Sequence, residues 1–138
     1  MTDKPFENVE KPSPIRDEAS AAFFDGAAQG KLMLKYCKTC QRYEPPGASE
    51  CEKCMHTLEW RESSGKGTVF NWTIIYQLSH PGFAADLPYA VGVVKLTEGP
   101  RYITRFVGIE PHELKIGLSV TVQFSPCSNG EYLPQFTK

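Results

Sequence analysis

No stretch of this sequence stays apolar for the roughly 18 residues that a membrane-crossing helix requires. An excess of charge is lacking too: 15 Lys and Arg stand against 16 Asp and Glu, for a net charge of −1. No long-range field therefore draws the chain to nucleic acid or anionic lipid. Histidine is scarce, with three in 138 residues, and no Ser-His-Asp set or paired carboxylates announce acid–base or nucleophilic chemistry. The glycine spacing of a Walker loop is missing, because Ser64-Gly65-Lys66-Gly67 is too short. The opening MTDKPFENVEKP is polar and carries three acids, so it lacks the apolar centre of a secretory signal. The expectation is a cytoplasmic protein, where cysteines serve more often as ligands than as disulfides.

What is present divides the chain into four expected parts. Residues 1–13 are polar and proline-bearing and read as a disordered tail. Residues 14–30 read as a helix over about 14–29. Ser13 is the expected N-cap, Pro14 takes the first turn, Asp17 and Glu18 complement the dipole, and Gly30 is the stop. Residues 31–60 hold a short strand, Leu32 to Tyr36, and then four cysteines as C-x2-C-x10-C-x2-C. Residues 61–138 carry five β-type runs: 68–76, 90–96, 101–107, 118–124 and 132–136. A short helical turn is expected at 111–114, between the third run and the fourth. Five strands in that order fit an OB-fold barrel.

The cysteines carry the strongest chemical signal. Each C-x2-C pair makes a tight knuckle with two thiolates on one side of a metal, and the ten-residue loop brings the second pair opposite the first. Cys37, Cys40, Cys51 and Cys54 are thus the expected ligands of one ion. Zinc is the expected metal, with iron as the alternative. Four thiolates leave no open coordination position, so the ion is expected to hold structure and not to act as a Lewis acid. Such knuckles often carry glycine after the second cysteine, whereas Gln41 and Met55 stand there in this chain. Cys127 is a lone loop cysteine; His56, two residues past Cys54, is a less favoured substitute ligand, His80 reads as a solvated turn residue and His112 as surface; no catalytic residue is expected.

Other features are candidate contacts. Lys31, Lys35, Lys38 and Arg42 cluster around the first knuckle, and Lys66 lies in the glycine-flanked turn. Together they are candidates for a CoA phosphate or for partner docking, while the interleaved Glu44, Glu50 and Glu52 suit an ordinary solvated face. Phe83 and Leu87 lie in a long loop with few charges, and Phe23 and Phe24 are adjacent on the expected helix, features that suit a protein interface. Phe70, Trp72, Tyr76, Tyr102 and Phe106 offer either core aromatics or stacking platforms for single-stranded nucleic acid, the rival reading.

The order of these features resembles a known family. After the helix come Gly30-Lys31-Leu32, the two cysteine pairs separated by prolines, Leu58-Glu59-Trp60 and Ser64-Gly65-Lys66-Gly67-Thr68-Val69. Leu87-Pro88-Tyr89, Glu98-Gly99, Ile116-Gly117-Leu118-Ser119-Val120 and Leu133-Pro134-Gln135-Phe136 follow. Over about residues 15–137 the chain is similar to the acyl-CoA-associated OB-fold family with an N-terminal rubredoxin-like zinc ribbon. The resemblance implies a mainly β fold with an N-terminal helix, the ribbon preceding a five-stranded OB-fold barrel. It also implies a non-catalytic partner of a thiolase-like or aldolase-like enzyme, a hetero-oligomer acting on acyl-CoA, with the CoA thioester a ligand shared by the complex. Other members are fused to or paired with hydratases.

Overall fold

The computed structural model describes residues 10–138. It is mostly β. One helix, α1 (Ala21–Ala28), precedes three short strands, β1 (Met33–Cys37), β2 (Arg42–Glu44) and β3 (Glu59–Glu62), which pair antiparallel in the order β2-β1-β3. Five longer strands follow: β4 (Lys66–Ile75), β5 (Tyr89–Leu96), β6 (Arg101–Phe106), β7 (Ser119–Pro126) and β8 (Tyr132–Thr137). They close into a barrel in the order β4-β5-β6-β8-β7, with β6 and β8 parallel at Phe106 and Phe136. This is the OB-fold barrel expected from the strand pattern, and closing it pairs part of every strand edge, with β4 meeting β7 over 66–68 and β6 meeting β8 at a single residue pair. Short 3-10 helices stand at Pro81–Asp86 and Pro111–Glu113.

The helix is shorter than the sequence predicts. It begins at Ala21 and not at 14. Asp17 and Ser20 close the turn just ahead of it: the Asp17 carboxylate accepts the Ser20 amide at 2.8 Å, and Ser20 Oγ accepts the Asp17 amide at 2.9 Å. Ser20, the residue before the helix, makes no side-chain capping bond to it. Residues 13–16 are instead drawn onto the 127–131 loop. Ser13 Oγ meets Ser128 Oγ at 3.0 Å, Asn129 Nδ2 donates to the Pro14 carbonyl at 2.7 Å, and Arg16 makes two 2.8 Å bonds to the Glu131 carboxylate. Of the tail expected over 1–13, residues 1–9 lie outside the described residues.

One core joins the layers. Leu32 and Leu34, on and beside β1, belong to the same buried cluster as Val69, Val94, Leu96, Phe106, Val120 and Phe136 of the barrel. Phe24 is buried and Phe23 packs against that cluster, the two rings meeting edge-on at 5.5 Å. Phe23 therefore caps the barrel, and Phe24 is buried beside it. Gly92 lets β4 coil across β5 at the bulge between Val69 and Asn71: a Cβ there would lie 2.1 Å from the Asn71 carbonyl oxygen.

Candidate functional site

β1 delivers Cys37 into the fold as a fully buried residue, and the turn after it returns Cys40. The second pair is held by a tight loop in which the Cys51 amide donates to the His56 carbonyl at 3.0 Å and the Met55 amide to the Cys51 carbonyl at 2.9 Å. The sulfurs of Cys37, Cys40, Cys51 and Cys54 all lie within 4.8 Å of one another, with Cys37 and Cys54 at 3.4 Å. A tetrahedron of thiolates about 2.3 Å from a central ion has sulfur–sulfur edges of about 3.8 Å. The four cysteines thus have the size and donor chemistry to hold one metal ion.

Two further details fit a metal. The Cys40 amide points at Cys37 Sγ at 3.4 Å, a bond that favours a thiolate. The Cys54 amide, helped by that of Lys53, outweighs burial and brings the Cys51 thiol down to about 7. The neighbouring sulfurs, Cys54 first, push the Cys40 thiol up to about 12. Four thiolates at this spacing repel each other unless a cation sits among them. Gln41 and Met55, the residues at the positions where glycine is usual, have φ of 53° and 63°, in the left-handed region. Each knuckle therefore keeps the glycine conformation without the glycine. His56 Nδ1 meets Thr39 Oγ1 at 3.1 Å.

The basic residues of the first knuckle are engaged within the ribbon. Lys35 lies over the Trp60 ring at 4.8 Å and donates to the Ala48 carbonyl. Lys38 pairs with Glu59 at 3.2 Å, and Arg42 with Glu44 at 2.9 Å. Lys31 is exposed just ahead of β1, and Lys66 is exposed at the start of β4. Phe83 is half-buried between His80 and Tyr89, each ring centroid 6.0 Å away. These six residues occupy three parts of the fold.

A cleft of about 1130 Å³ lies over β5 and β6, between the 81–86 turn and the 125–128 segment. This is the face an OB-fold uses for ligands. Tyr89, Val91, Arg105, Phe83 and Leu133 line it, and residues 10–13 form one wall. Asp86 organises the rim: it takes Arg105 at 2.8 Å and Lys11 at 3.0 Å, contacts that outweigh burial and hold its carboxyl below the usual range. Arg105 also lies over the Tyr89 ring at 4.6 Å. Sequence reasoning missed this network, because its members are far apart in the chain and carry no shared spacing. Cys127 lines the same cleft, its thiol pushed up by burial.

Comparison with known proteins agrees with this architecture. Residues 60–125 match the family described as the ChsH2 C-terminal OB-fold domain. A chain of the solved "Ltp2-ChsH2(DUF35) aldolase" superposes with a TM-score of 0.79 at 30% identity, covering 91% of this chain and 98% of that one. A probable enoyl-CoA hydratase alpha subunit of Thermomonospora curvata is 31% identical over 128 residues, 91% of this chain and 39% of the relative. A DUF35 domain-containing scaffold protein of Methanocaldococcus jannaschii is 30% identical over 90 residues, 64% of this chain and 63% of the relative. The chain thus spans less than two thirds of the length of these two curated relatives.

Proposed function

Because the chain belongs to the DUF35 family of OB-fold proteins, we propose that it is a non-catalytic subunit of a complex acting on acyl-CoA. The partner in this reading is a thiolase-like or aldolase-like enzyme. The observation that carries it is the superposition on nearly the whole length of the DUF35 chain in an aldolase complex. In this role Cys37, Cys40, Cys51 and Cys54 hold a structural zinc ion. When bound, that ion supplies rigidity to the ribbon and no catalysis, since the thiolates fill its coordination sphere. The chain's own residues supply a scaffold and one wall of the CoA path, with the reacting groups on the partner. The cleft beside Tyr89 and Arg105 is the place where this chain would meet the CoA thioester; Lys31, Lys66 and Phe83 remain candidate contacts.

The match to a hydratase alpha subunit over 91% of this chain supports a second reading, in which the partner is a hydratase. One experiment separates the two. The chain is co-expressed with the thiolase-like or aldolase-like protein encoded beside it, and in parallel with a neighbouring hydratase subunit. The expected result is co-elution with the former as a hetero-oligomer and an enzyme that needs this chain for full activity. Co-elution with the hydratase alone would shift the partner class. A monomeric chain, with both enzymes fully active without it, would refute the subunit role. Metal analysis of the purified complex should return about one zinc per chain, and Cys37→Ser should lose it.

A further inference from the structure

The apolar residues that the sequence offers for docking are largely packed: Phe23 caps the barrel, Phe24 is buried beside it, and Phe83 is half-buried in the cleft. Other residues take their place at the surface. Ile103 of β6 is 80% exposed, and Phe70 of β4 is 37% exposed. The strand register puts Asn71, Val93 and Ile103 in one row across β4, β5 and β6, facing out of the barrel. The next row is Thr68, Lys95 and Arg101.

Charge is distributed unevenly around this spot. The five barrel strands contain none of the chain's 16 acidic residues, yet hold four of its 15 cations, all on β4, β5 and β6. Arg105 is tied to Asp86. Among the described residues, no carboxylate reaches Lys66, Lys95 or Arg101 at ion-pair distance. Arg101 lies over the Phe70 ring at 4.2 Å, a contact that favours one orientation before any partner arrives. On this face β5 pairs along its length with β4 and β6, so a partner that lies there meets side chains and not free backbone.

We propose that the outer face of β4, β5 and β6 is the surface that docks the enzyme partner of the preceding section, on whose subunit role this inference rests. Ile103 enters an apolar socket, the Arg101–Phe70 pair packs at its edge, and Lys95 and Arg101 meet carboxylates on its rim. An aromatic–arginine pair beside an aliphatic centre with a charged border is the composition of an interface hot spot. Nucleic acid is a poorer fit: the centre of the face is Val93 and Ile103, the Phe70 ring beside it is covered by Arg101, and so few free cations cannot follow a phosphate chain.

The test uses the full chain in complex with its co-purifying thiolase-like or aldolase-like enzyme. Ile103→Asp should weaken the complex at least about tenfold, the effect of losing a hot-spot residue. Arg101→Glu should weaken it too and flatten the dependence of affinity on salt. Ile15→Asp, at a position 90% exposed on the N-terminal segment, is the control and should bind as wild type. Zinc content and thermal midpoint report whether each variant folds; Arg101→Glu carries the test if Ile103→Asp does not. Unchanged affinity in both variants overturns the docking face and leaves the subunit role standing. Failure of the wild-type chain to bind any such enzyme overturns both. Two other results overturn the face as an enzyme-docking site. One is a homodimer dissolved by Ile103→Asp; the other is salt-sensitive binding of a 15-nucleotide oligothymidylate lost in Arg101→Glu.

Discussion

Replacing Gln41 and Met55 with glycine should stabilise the protein, although both substitutions remove side-chain atoms. Both residues sit at left-handed φ, 53° and 63°. That conformation costs a residue with a Cβ about 1–2 kcal/mol. Glycine avoids the cost but gives back about 0.5–1 kcal/mol through its freedom in the unfolded chain. The net gain is about 0.5–1 kcal/mol per site. Little packing is lost, because Met55 is 61% exposed and Gln41 is also exposed. For a chain of this size the pair should raise the melting midpoint by about 3–6 °C. The knuckles share one proposed ion, so the double variant must be measured beside the singles. The assay is thermal denaturation at a fixed ratio of zinc to protein. Gln41→Ala and Met55→Ala serve as controls that keep the Cβ. Equal gains from alanine and glycine, or a loss of stability with glycine, would refute the conformational argument.

Three further expectations can be checked on the isolated chain. Gly92→Ala puts a Cβ 2.1 Å from the Asn71 carbonyl oxygen and 2.7 Å from the Trp72 Cα; since backbone cannot yield cheaply, the melting midpoint should reveal a loss of about 2–3 kcal/mol or more. Burial alone would raise the Glu98 carboxyl, but the Ser64 amide and Ser63 hydroxyl outweigh it and hold it below the ordinary range. A depressed carboxyl stabilises the fold above its unfolded pKa and loses that contribution as pH falls through the folded one. Wild type and Glu98→Gln should therefore differ in stability at neutral pH and converge below about pH 4; a constant difference down to pH 2 would contradict this. Gly82→Val places a Cβ 2.5 Å from the Glu10 carbonyl oxygen and 2.7 Å from Lys11 backbone. Displacing that segment should speed tryptic cleavage after Arg16, and an unchanged rate would show that the segment does not depend on Gly82.

The parts of this fold that were readable are those encoded locally. Cys37, Cys40, Cys51 and Cys54 announce their own geometry through spacing. The β-branched runs of the barrel mark their strands to within a residue or two, and Glu98-Gly99 marks the turn between β5 and β6. The helix start expected at Ser13-Pro14 fails for a non-local reason. Ser13-Pro14 fits the rule, but Pro14 and Arg16 gain partners on Asn129 and Glu131, some 115 residues away. No local pattern reports that pull. The same holds for the lysines of the first knuckle. Their spacing looks like a basic patch, whereas the β-pairing brings Glu59 and Trp60 beside Lys38 and Lys35. The exposed Ile103 was hidden for another reason: alternation marks it as outward-facing, but what a closed barrel packs against that face is set by tertiary structure.

The ribbon and the barrel are energetically one object, and this bears on why a non-catalytic metal would be kept. Leu32 and Leu34 lead directly to Cys37, yet they are buried among Val69, Val94 and Phe136 of the barrel. The junction is locked as well. The Ser63 amide donates to the Leu32 carbonyl at 2.8 Å, its hydroxyl to Glu98 at 2.7 Å, and the Gly65 amide to that hydroxyl at 3.0 Å. A structural zinc ion contributes about 10–16 kcal/mol in isolated zinc-finger peptides at neutral pH. A whole domain is stable by only about 5–15 kcal/mol. Removing the ion proposed here would therefore cost the ribbon more than its own contacts return. Because β1 is part of the barrel core, that loss would spread into β4 and β6. The docking face proposed above would then fail without any metal contact to the partner, so metal loss and Ile103→Asp should weaken the complex by different routes: the first with loss of the fold, the second with the fold intact.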